Sequence, residues 1–378
     1  MSKKNRLIVL CSAVLCSYYM YAQQRTMGME EMFRLADTNS KSIQAYKTGK
    51  EAADEALKAA KAQRLPDITA SVSASYLGDG RLWDRDFGQG VRIDMPHFGN
   101  NLVIEARQVV YAGGAISSGI ELAELGRELA ELDWQKNRQE VRFLLAGYYL
   151  ELYKLDNQKK VVQHNLQLTE RVIDNVRARH EQGTALKNDI TRYELQRETL
   201  KLQLARITDA RQIVNHQLVT TLHLPAGTDI CPDTTLLDKE VQTLAEEDWL
   251  KLATQTHLGL RQFSALFKNN RKLKQARLNV RRAEELHELA QEQVENAVQA
   301  GYVDFLTSFT DWHTQEKSVA LANENYSVVS NRYANEMALL TDMLDASNMK
   351  LSADLGLVNA RIDVIYHYYK MKYLTHTL

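Results

Sequence analysis

The sequence predicts a mainly α-helical protein built from very long antiparallel coiled-coil helical hairpins, with one short β-hairpin. Three observations lead to this fold class. The 378 residues include only four prolines, and none lies in 97–224 or 233–378, so nothing there interrupts a long helix. Apolar and polar residues alternate strictly at 67–76, which is typical of a strand with one apolar face. The helical part of the chain also repeats itself.

Residues 1–22 have the pattern of a secretory signal peptide. A basic start precedes an apolar run that is too short to anchor the chain across a bilayer, and the small residue Ala22 precedes a plausible cleavage site. Cleavage would remove Cys11 and Cys16 and leave only Cys231, so we expect no internal disulfide. The alternative is a buried N-terminal helix of a cytosolic protein.

The first repeat is predicted at 23–222 and begins with a helix at 29–63, whose end is marked by Pro66. A strand at 67–77 follows, then a loop rich in glycine and aspartate at 78–100, and then a second strand at 101–112. The apolar face of the first strand consists of Ile68, Ala70, Val72, Ala74 and Tyr76.

A long helical hairpin is predicted at 116–222, with its tip near Gly183. A helix from 116 to 182 would be roughly 100 Å long at 1.5 Å per residue, which indicates a coiled-coil or tube-like body. Leu200, Ile207 and Val214 recur every seven residues, as in a coiled-coil seam, although the core face of an ordinary helical bundle has a similar pattern. An inter-repeat segment at 223–248 follows, and helix then resumes.

The second repeat, at 249–378, is a shorter copy of the first. FRLA at 33–36 resembles LKLA at 250–253, at an offset of 217 residues. Further along, Ala-Gly-Tyr recurs at an offset of 154, and an Arg and an Asp ten residues apart recur at an offset of 153. The second copy is therefore shorter by about 63 residues, the difference between the offsets 217 and 154. It keeps a helical hairpin with its tip near 336, and it lacks the β-hairpin.

Charge and motifs exclude several functional classes. The 47 basic and 48 acidic residues nearly balance, so no nucleic-acid partner is expected. The histidines show no metal-binding spacing, and neither a phosphate-binding loop nor a nucleophile elbow occurs. The sequence therefore predicts no metal, no cofactor and no enzyme activity.

These features, taken in order, resemble the outer membrane efflux proteins, the TolC family. The strand at 65–77 is led by Leu-Pro, and VYAGGA at 110–115 ends the second strand. The strongest motifs are the hairpin tips, RHEQGTALKNDITRYELQ at 179–196 and RYANEMALLTDMLDA at 332–346. The resemblance covers about residues 27–375.

The resemblance implies a channel subunit of the outer membrane whose helical body, an α-barrel, lies in the periplasm. Such channels are homotrimers that bind a periplasmic adaptor protein and, through it, an inner-membrane pump. They act as passive conduits for efflux or type I secretion. The β-hairpin would contribute to a β-barrel in the outer membrane, with the apolar face of the strand at 67–77 toward lipid and its serine and threonine residues toward a lumen. The alternative is a hairpin of a soluble sheet with one solvated face.

The resemblance also assigns roles to the two tips. Asp342, Asp345 and Tyr333 match residues that close the periplasmic entrance, and rings of three carboxylates there would attract cations. Alternatively, the aspartates are solvated or cap a helix. The chain departs from the family at two positions of this gate. Glu336 stands where the family has glycine, and Ala338 stands where the best-known member has an arginine that braces the entrance.

The adaptor contacts implied by the resemblance lie on both tips, although the two arginines are equally suited to ordinary salt bridges. They are Arg179, Gly183, Thr184, Arg332, Met337 and Leu339. The missing second β-hairpin is the larger departure from the family, because two strands per chain give a trimer only six strands for its barrel. The alternative function is therefore a non-conducting periplasmic coiled-coil scaffold, or a truncated relic of such an exporter.

Overall fold

The computed structural model describes residues 24–78, 80–233, 244–258, 274–335 and 337–378. The predicted signal peptide lies outside these residues, as does part of the inter-repeat segment. The described chain forms two compact units, of which one is Lys50–Ala130 and the other consists of the residues before and after it. The predicted mainly α fold class is confirmed, since long helices dominate the described residues.

The helices of the described residues form two groups, in each of which one or two shorter helices precede a pair of long ones. They are α1 (Met29–Asn39), α2 (Lys41–Ala62), α3 (Ala115–Glu181), α4 (Lys187–Thr221), α5 (Glu246–Thr256), α6 (Lys274–Ala334) and α7 (Leu340–Leu374). Helices α3 and α6 contain 67 and 61 residues, and α4 and α7 contain 35 residues each. Two long helical hairpins, α3–α4 and α6–α7, therefore make up most of the protein.

The predicted single helix at 29–63 is two helices, α1 and α2, separated at Ser40. Ser40 has an extended backbone with φ −62° and ψ 124°, although its N–H still donates to the carbonyl of Ala36. The preceding residues favour a helix end, because the Thr38 hydroxyl donates to the carbonyls of Arg34 and Leu35 and so competes for the acceptors of the helix.

Six strands form three two-stranded sheets in the described ranges. They are β1 (Gln24–Met27), β2 (Asp67–Tyr76), β3 (Gly80–Trp83), β4 (Gly90–Ile93), β5 (Phe98–Arg107) and β6 (Asp229–Pro232). The pair β1–β6 is parallel, and the pairs β2–β5 and β3–β4 are antiparallel. The sequence did not predict β1, β6 or the two short strands inside the supposed loop at 78–100.

The second long strand also differs from its predicted bounds of 101–112. Strand β5 begins earlier, because Phe98 pairs with Tyr76, and it ends earlier, because Arg107 pairs with Asp67 at the start of β2. Pro66 precedes Asp67 and has no N–H to donate, so the pairing stops there.

The largest core cluster is built around Tyr149, which is fully buried in α3. Its hydroxyl donates to the carbonyl of Met27 at 2.7 Å and accepts from the N–H of Asp233 at 2.8 Å, which ties the C-terminal ends of both strands of the β1–β6 sheet to the helix. Apolar residues of α1, α4 and α7 complete this cluster. A second cluster packs α5, through Trp249, onto Phe305 of α6 and Met371 of α7.

Each helical hairpin ends with a histidine in the left-handed region. His223 follows α4 with φ 51°, and His376 follows α7 with φ 51°. In both cases the residue directly after the histidine closes the helix, because the N–H of Leu224 donates to the carbonyl of Val219 and the N–H of Thr377 donates to the carbonyl of Lys372. The two ends differ in their surroundings, because His223 is exposed whereas the ring of His376 meets that of His257 at 4.5 Å between centroids.

Candidate functional site

Two turns connect the long helices, and they carry most of the residues that the sequence singled out. We call residues 179–186 the first tip and residues 332–339 the second tip. In the first tip, the N–H groups of Thr184 and Gly183 donate at 2.9 Å to the carbonyls of Arg179 and His180. This Schellman pattern requires a left-handed residue, and Gly183 has φ 76°.

The second tip contains a hydrogen bond equivalent to the one donated by Thr184. The N–H of Met337 donates to the carbonyl of Arg332 at 2.8 Å, which corresponds to the Thr184 bond at an offset of 153 residues. Glu336, which occupies the position of Gly183, lies outside the described residues. The two turns therefore share a closing hydrogen bond although their sequences differ.

An aspartate stabilises the start of the helix after each tip. Asp189 Oδ2 accepts from the N–H of Leu186 at 3.2 Å, and Asp342 Oδ2 accepts from the N–H of Leu339 at 3.1 Å. Each bond is half of a capping box, because leucine at the N-cap has no side-chain acceptor to return the bond. Both carboxylates also lie at a helix N-terminus, where the helix dipole favours negative charge.

The proposed gate residue Asp342 thus has the local capping role that the sequence left open as an alternative. It remains exposed, as does Asp345, and the two lie one turn apart on the same side of α7. Capping uses only Oδ2 of Asp342, so the other carboxylate oxygen can still accept a hydrogen bond or face a pore.

The two tips pack against each other through a small apolar core, which we call the tip core. Its buried residues are Ile173, Val176, Tyr193, Leu340 and Met343. Tyr333, the other predicted gate residue, packs against this core while the guanidinium of Arg179 lies over its ring at 5.2 Å from the centroid. Arg179 Nη2 also donates to the carbonyl of Ala334 at 3.5 Å. The structure therefore brings Arg179 and Tyr333 together across the two tips.

Tyr193 is the most deeply buried polar residue of the tip core, with 2% of its surface exposed. Burial raises the pKa of its phenol, and the nearby Tyr333 and Tyr326 raise it further. Its hydroxyl is buried and has no hydrogen-bond partner among the described residues. Its ring therefore serves the packing of the tips, whereas its buried hydroxyl costs stability because no hydrogen bond replaces those it made to water.

Large apolar side chains at the tips face solvent in the single chain. Met337 is 67% exposed and Leu339 is 70% exposed, and both were predicted adaptor contacts. Leu186 is 71% exposed and was missed by the sequence reasoning. The repeat contained the signal for it, because Leu186 precedes Asp189 by three residues as Leu339 precedes Asp342. The remaining predicted tip residues, Gly183, Thr184 and Arg332, are also exposed.

The β2–β5 hairpin holds the predicted lipid-facing residues, and its register shows that they share one face. Residues directly opposite each other in antiparallel strands lie on the same face of the sheet. Val72 pairs with Leu102, Ala70 with Ile104 and Ile68 with Ala106, so both strands contribute apolar residues to that face. At its end Tyr76 pairs with Phe98, which the sequence reasoning had placed in a loop.

This apolar face is exposed in the single chain. Val72 is 79% exposed, Leu102 is 69% exposed and Ile104 is 72% exposed. Contiguous apolar surface of this kind marks an interaction with another protein or with a membrane. Ala74, the remaining predicted residue of the face, pairs with Asn100 and is exposed as well.

The opposite face of the hairpin is mainly polar, although Val103 of β5 lies on it opposite Ser71. Ser71, Ser73 and Ser75 alternate along β2, and Ser75 pairs with Gly99. Charged residues lie at one end, where Asp67 pairs with Arg107 and the Arg107 guanidinium contacts Glu105 at 2.6 Å. The hairpin therefore combines an apolar face with a mainly polar face, on which β2 carries small hydroxyl groups.

Across the described ranges, no helix is both long enough and apolar enough to cross a membrane. The same residues contain no group of three or more histidine, cysteine or acidic side chains arranged to hold a metal ion.

Comparison with known proteins finds similarity in structure alone. No protein-family model matches the chain, and no curated protein matches its sequence. The outer membrane protein VceC from Vibrio cholerae is similar with a TM-score of 0.74 and 14% identity, over 92% of this chain and 96% of VceC.

Two further solved structures are outer membrane channels. CmeC from Campylobacter jejuni has a TM-score of 0.71 and 13% identity, over 92% of this chain and 85% of CmeC. The open state of MtrE from Neisseria gonorrhoeae has a TM-score of 0.68 and 16% identity, over 92% of this chain and 88% of MtrE. The chain therefore has the fold of the outer-membrane efflux channels, the TolC family that its sequence motifs resemble.

Proposed function

We propose that this protein is a subunit of a TolC-like conduit of the outer membrane, through which small molecules or secreted proteins leave the cell. The observation that carries the proposal is the exposed apolar face of the paired ten-residue strands β2 and β5, in a chain with the fold of outer-membrane channels. The conduit is passive. Transport energy comes from a partner pump, and the chain itself is not an enzyme.

The dimensions of the hairpin support insertion into a bilayer. Strands of about nine to eleven residues cross the hydrocarbon layer when they are tilted, and β2 and β5 contain 10 residues each. Alternation of an apolar outward face with a polar inward face is the pattern of a membrane strand. Ile68, Ala70, Val72, Ala74 and Tyr76 would then face lipid, with Tyr76 near the interface where aromatic residues gather.

The helical hairpins suit a periplasmic body that a periplasmic adaptor protein contacts at the tips. Exposed leucine and methionine side chains provide the apolar part of that contact, at Leu186, Met337 and Leu339. Gly183 and Thr184 present an exposed turn beside them, and Arg179 and Arg332 supply positive charge. The adaptor would link the conduit to an inner-membrane pump, in the homotrimeric arrangement that the resemblance implies.

Gating is assigned to the second tip. Copies of Asp342 and Asp345 around one axis would place a ring of carboxylates at a narrow entrance, which favours cations and disfavours closure by mutual repulsion. Tyr333 belongs to the gate because it joins the second tip to Arg179 of the first tip. Movement of the second tip would therefore have to break that contact.

Membrane fractionation followed by conductance measurement tests the proposal. The full chain should stay with the outer membrane through an alkaline carbonate or urea wash, and should require detergent for extraction. In planar bilayers the extracted protein should form ion-conducting pores. Release by the wash, or an absence of conductance from protein that resists the wash, would contradict the conduit.

One observation favours a second candidate, a periplasmic scaffold that does not conduct. In the second half of the chain, the described residues 244–258, 274–335 and 337–378 contain helices and no strand. A chain with one hairpin contributes few strands to any pore, while its helical tips stay available for partner binding. The scaffold predicts release by the carbonate wash together with retained binding to the adaptor.

A further inference from the structure

The segment between β5 and α3 carries the most exposed large apolar side chains of the described residues. Val110 is 96% exposed and Tyr111 is 86% exposed, and the preceding Val109 is 58% exposed. These residues follow β5, which ends at Arg107, and precede α3, which begins at Ala115. They lie outside the paired strands, so a lipid-facing role of β2 does not account for their exposure.

Two glycines form the turn between this segment and α3. Gly113 has φ 60° and Gly114 has φ 85°, and the N–H of Ala115 donates to the carbonyl of Ala112 at 3.0 Å. Positive φ at both central positions of a turn is a geometry that residues with a Cβ rarely adopt. The chain therefore enters α3 within four residues of Tyr111, and that apolar side chain remains uncovered by the helix.

The chain segment that enters β2 exposes an apolar residue at the same end of the hairpin. Asp67 pairs with Arg107, so Leu65 and Val109 each lie two residues beyond the last pair of the ladder. Leu65 is 67% exposed. We call Leu65, Val109, Val110 and Tyr111 the helix-proximal patch, because they lie at the end of the hairpin that adjoins α2 and α3.

The position of this patch matches one boundary of a membrane band. The ten residues of β2 span roughly 33 Å at 3.3 Å per residue, and a tilt of about 40° reduces this to roughly 25 Å, the height of the apolar band of membrane barrels. Aromatic residues flank such a band at both of its interfaces. Tyr76 and Phe98 pair at one end of the hairpin, and Tyr111 is the first aromatic residue beyond Arg107 at the other end.

We propose that the helix-proximal patch inserts among the phospholipid headgroups of the leaflet that faces the helical body. The ring of Tyr111 suits this boundary, because its apolar body can enter the lipid while its hydroxyl stays in water. Lys61 and Arg64 are exposed beside Leu65 and supply positive charge that complements lipid phosphates. The inference rests on the proposed conduit, since a hairpin outside the bilayer would leave the patch in water.

Continuity with the hairpin favours lipid over a protein partner. The patch adjoins both strands at the point where their ladder ends, so a hairpin that crosses the bilayer brings the patch to the membrane surface. Large exposed apolar side chains beside basic residues are the composition of a membrane-surface contact. A protein partner would have to approach the patch at that surface and displace lipid from it.

Fluorescence quenching by labelled lipids tests the insertion in the full chain. In a Cys231→Ser background, which removes the cysteine of the described chain, Val110→Cys is labelled with an environment-sensitive dye. The protein is extracted from washed outer membranes and reconstituted in vesicles of phosphatidylethanolamine and phosphatidylglycerol. Lipids with a nitroxide near the headgroup should quench the dye more strongly than lipids with a nitroxide near the end of the acyl chain.

Probes at three other positions provide matched controls. Leu65→Cys should respond as Val110→Cys does, because it belongs to the same patch on the other strand. Val72→Cys, in the middle of β2, should be quenched more strongly by the deep nitroxide. Glu124→Cys, exposed on α3, should be quenched by iodide in the water and by neither lipid.

Each outcome separates the patch from the conduit. Quenching of the Val110 and Leu65 probes by the shallow nitroxide would support the insertion. If lipid quenches the Val72 probe while only iodide quenches the Val110 probe, the inference fails and the conduit stands. Protection of the Val110 probe from both lipid and iodide would mean that another protein or a second copy covers the patch, which also overturns the inference. A Val72 probe that no lipid quenches would remove the conduit, and the inference with it.

Discussion

The two helical hairpins, α3–α4 and α6–α7, have the same backbone plan and different side chains at matched positions. Their second helices, α4 and α7, both contain 35 residues, and both begin two residues before an aspartate that caps them. Both end before a histidine with φ 51°. Yet Gly183 corresponds to Glu336, and the exposed His223 corresponds to His376, which contacts His257.

The comparison teaches that backbone hydrogen bonds fix the frame of each hairpin while side chains remain free to diverge. A Schellman bond and a capping aspartate stop and start the helices in both cases, so the turns keep their length. Side chains outside these bonds can then differ in their surroundings, as the exposed His223 and the packed His376 do. The following predictions test this division, from the largest expected effect to the smallest.

Met343→Ala should be the most destabilising of these changes. Met343 is 4% exposed in the tip core, and removing a buried side chain of this size typically costs about 2–5 kcal/mol in free energy of unfolding. The matched residue in the first hairpin is Ile190, which is only partly buried, so Ile190→Ala should cost less. Chemical denaturation of the detergent-extracted protein measures both. Equal losses would mean that the two hairpins contribute alike to the tip core.

The exposed Met337 provides the control for this experiment. Met337→Ala should change the free energy of unfolding by less than about 0.5 kcal/mol, because the side chain is 67% exposed and its backbone bond is retained. Hydrogen exchange should show faster opening of both tips in Met343→Ala and unchanged opening in Met337→Ala.

Acid should destabilise the end of the second hairpin more than the end of the first. Burial lowers the pKa of His376 to about 4, helped by the nearby His257 and Lys136, and burial also lowers the pKa of His257. The unfolded chain therefore binds more protons than the folded chain between about pH 6.5 and pH 4, and stability falls as pH falls through that window. With allowance for partial exposure, the loss should be about 1–2 kcal/mol.

The paired variants His376→Asn and His223→Asn separate the contribution of His376 to the pH dependence of stability from the contribution of the carboxylates. Asparagine tolerates positive φ, so both variants keep the backbone conformation. The pH dependence of unfolding should become shallower in His376→Asn and stay as in the parent chain in His223→Asn. Parallel curves for the parent chain and His376→Asn would contradict the prediction.

Gly183→Ala should destabilise the first tip by about 1–2 kcal/mol. The φ of 76° places Gly183 in the left-handed region, where a Cβ approaches the following carbonyl oxygen. Gly126 in α3 has a helical backbone and open space around it, so Gly126→Ala should raise stability by about 0.5–1 kcal/mol. Thermal unfolding of the two variants should therefore shift in opposite directions. A shift in the same direction would show that the first tip does not depend on its glycine.

Asp342→Ala and Asp189→Ala should each cost about 0.5–1 kcal/mol, because each removes the same capping bond and helix-dipole interaction. Asp342→Ala and Asp345→Ala should lower the cation preference of the pore in planar bilayers, whereas Asp189→Ala should leave it unchanged. If Asp342→Ala leaves selectivity unchanged while Asp189→Ala costs the same stability, then Asp342 is a capping residue and not part of a gate.

Sequence reasoning succeeded where a pattern was long or repeated. Ten alternating residues were enough to assign the apolar face of β2, and the repeat offset of 153 located both tips. It failed where an element is short. Strands β1 and β6 contain four residues each, and their parallel pairing depends on contacts between distant parts of the chain. The contact of Arg179 with Tyr333 also depends on tertiary packing, so no local pattern indicates it.

The open β2–β5 hairpin has a consequence for the life of the chain before assembly. Among the described residues, no further strand pairs with either edge of this hairpin, and an exposed apolar face beside such edges is a template for aggregation in water. The four-residue ladder β3–β4 adds apolar surface of its own, because Leu82 and Val91 are 65% and 66% exposed. We therefore expect a newly made chain to aggregate unless this surface is covered, and depletion of holding chaperones should increase its insoluble fraction.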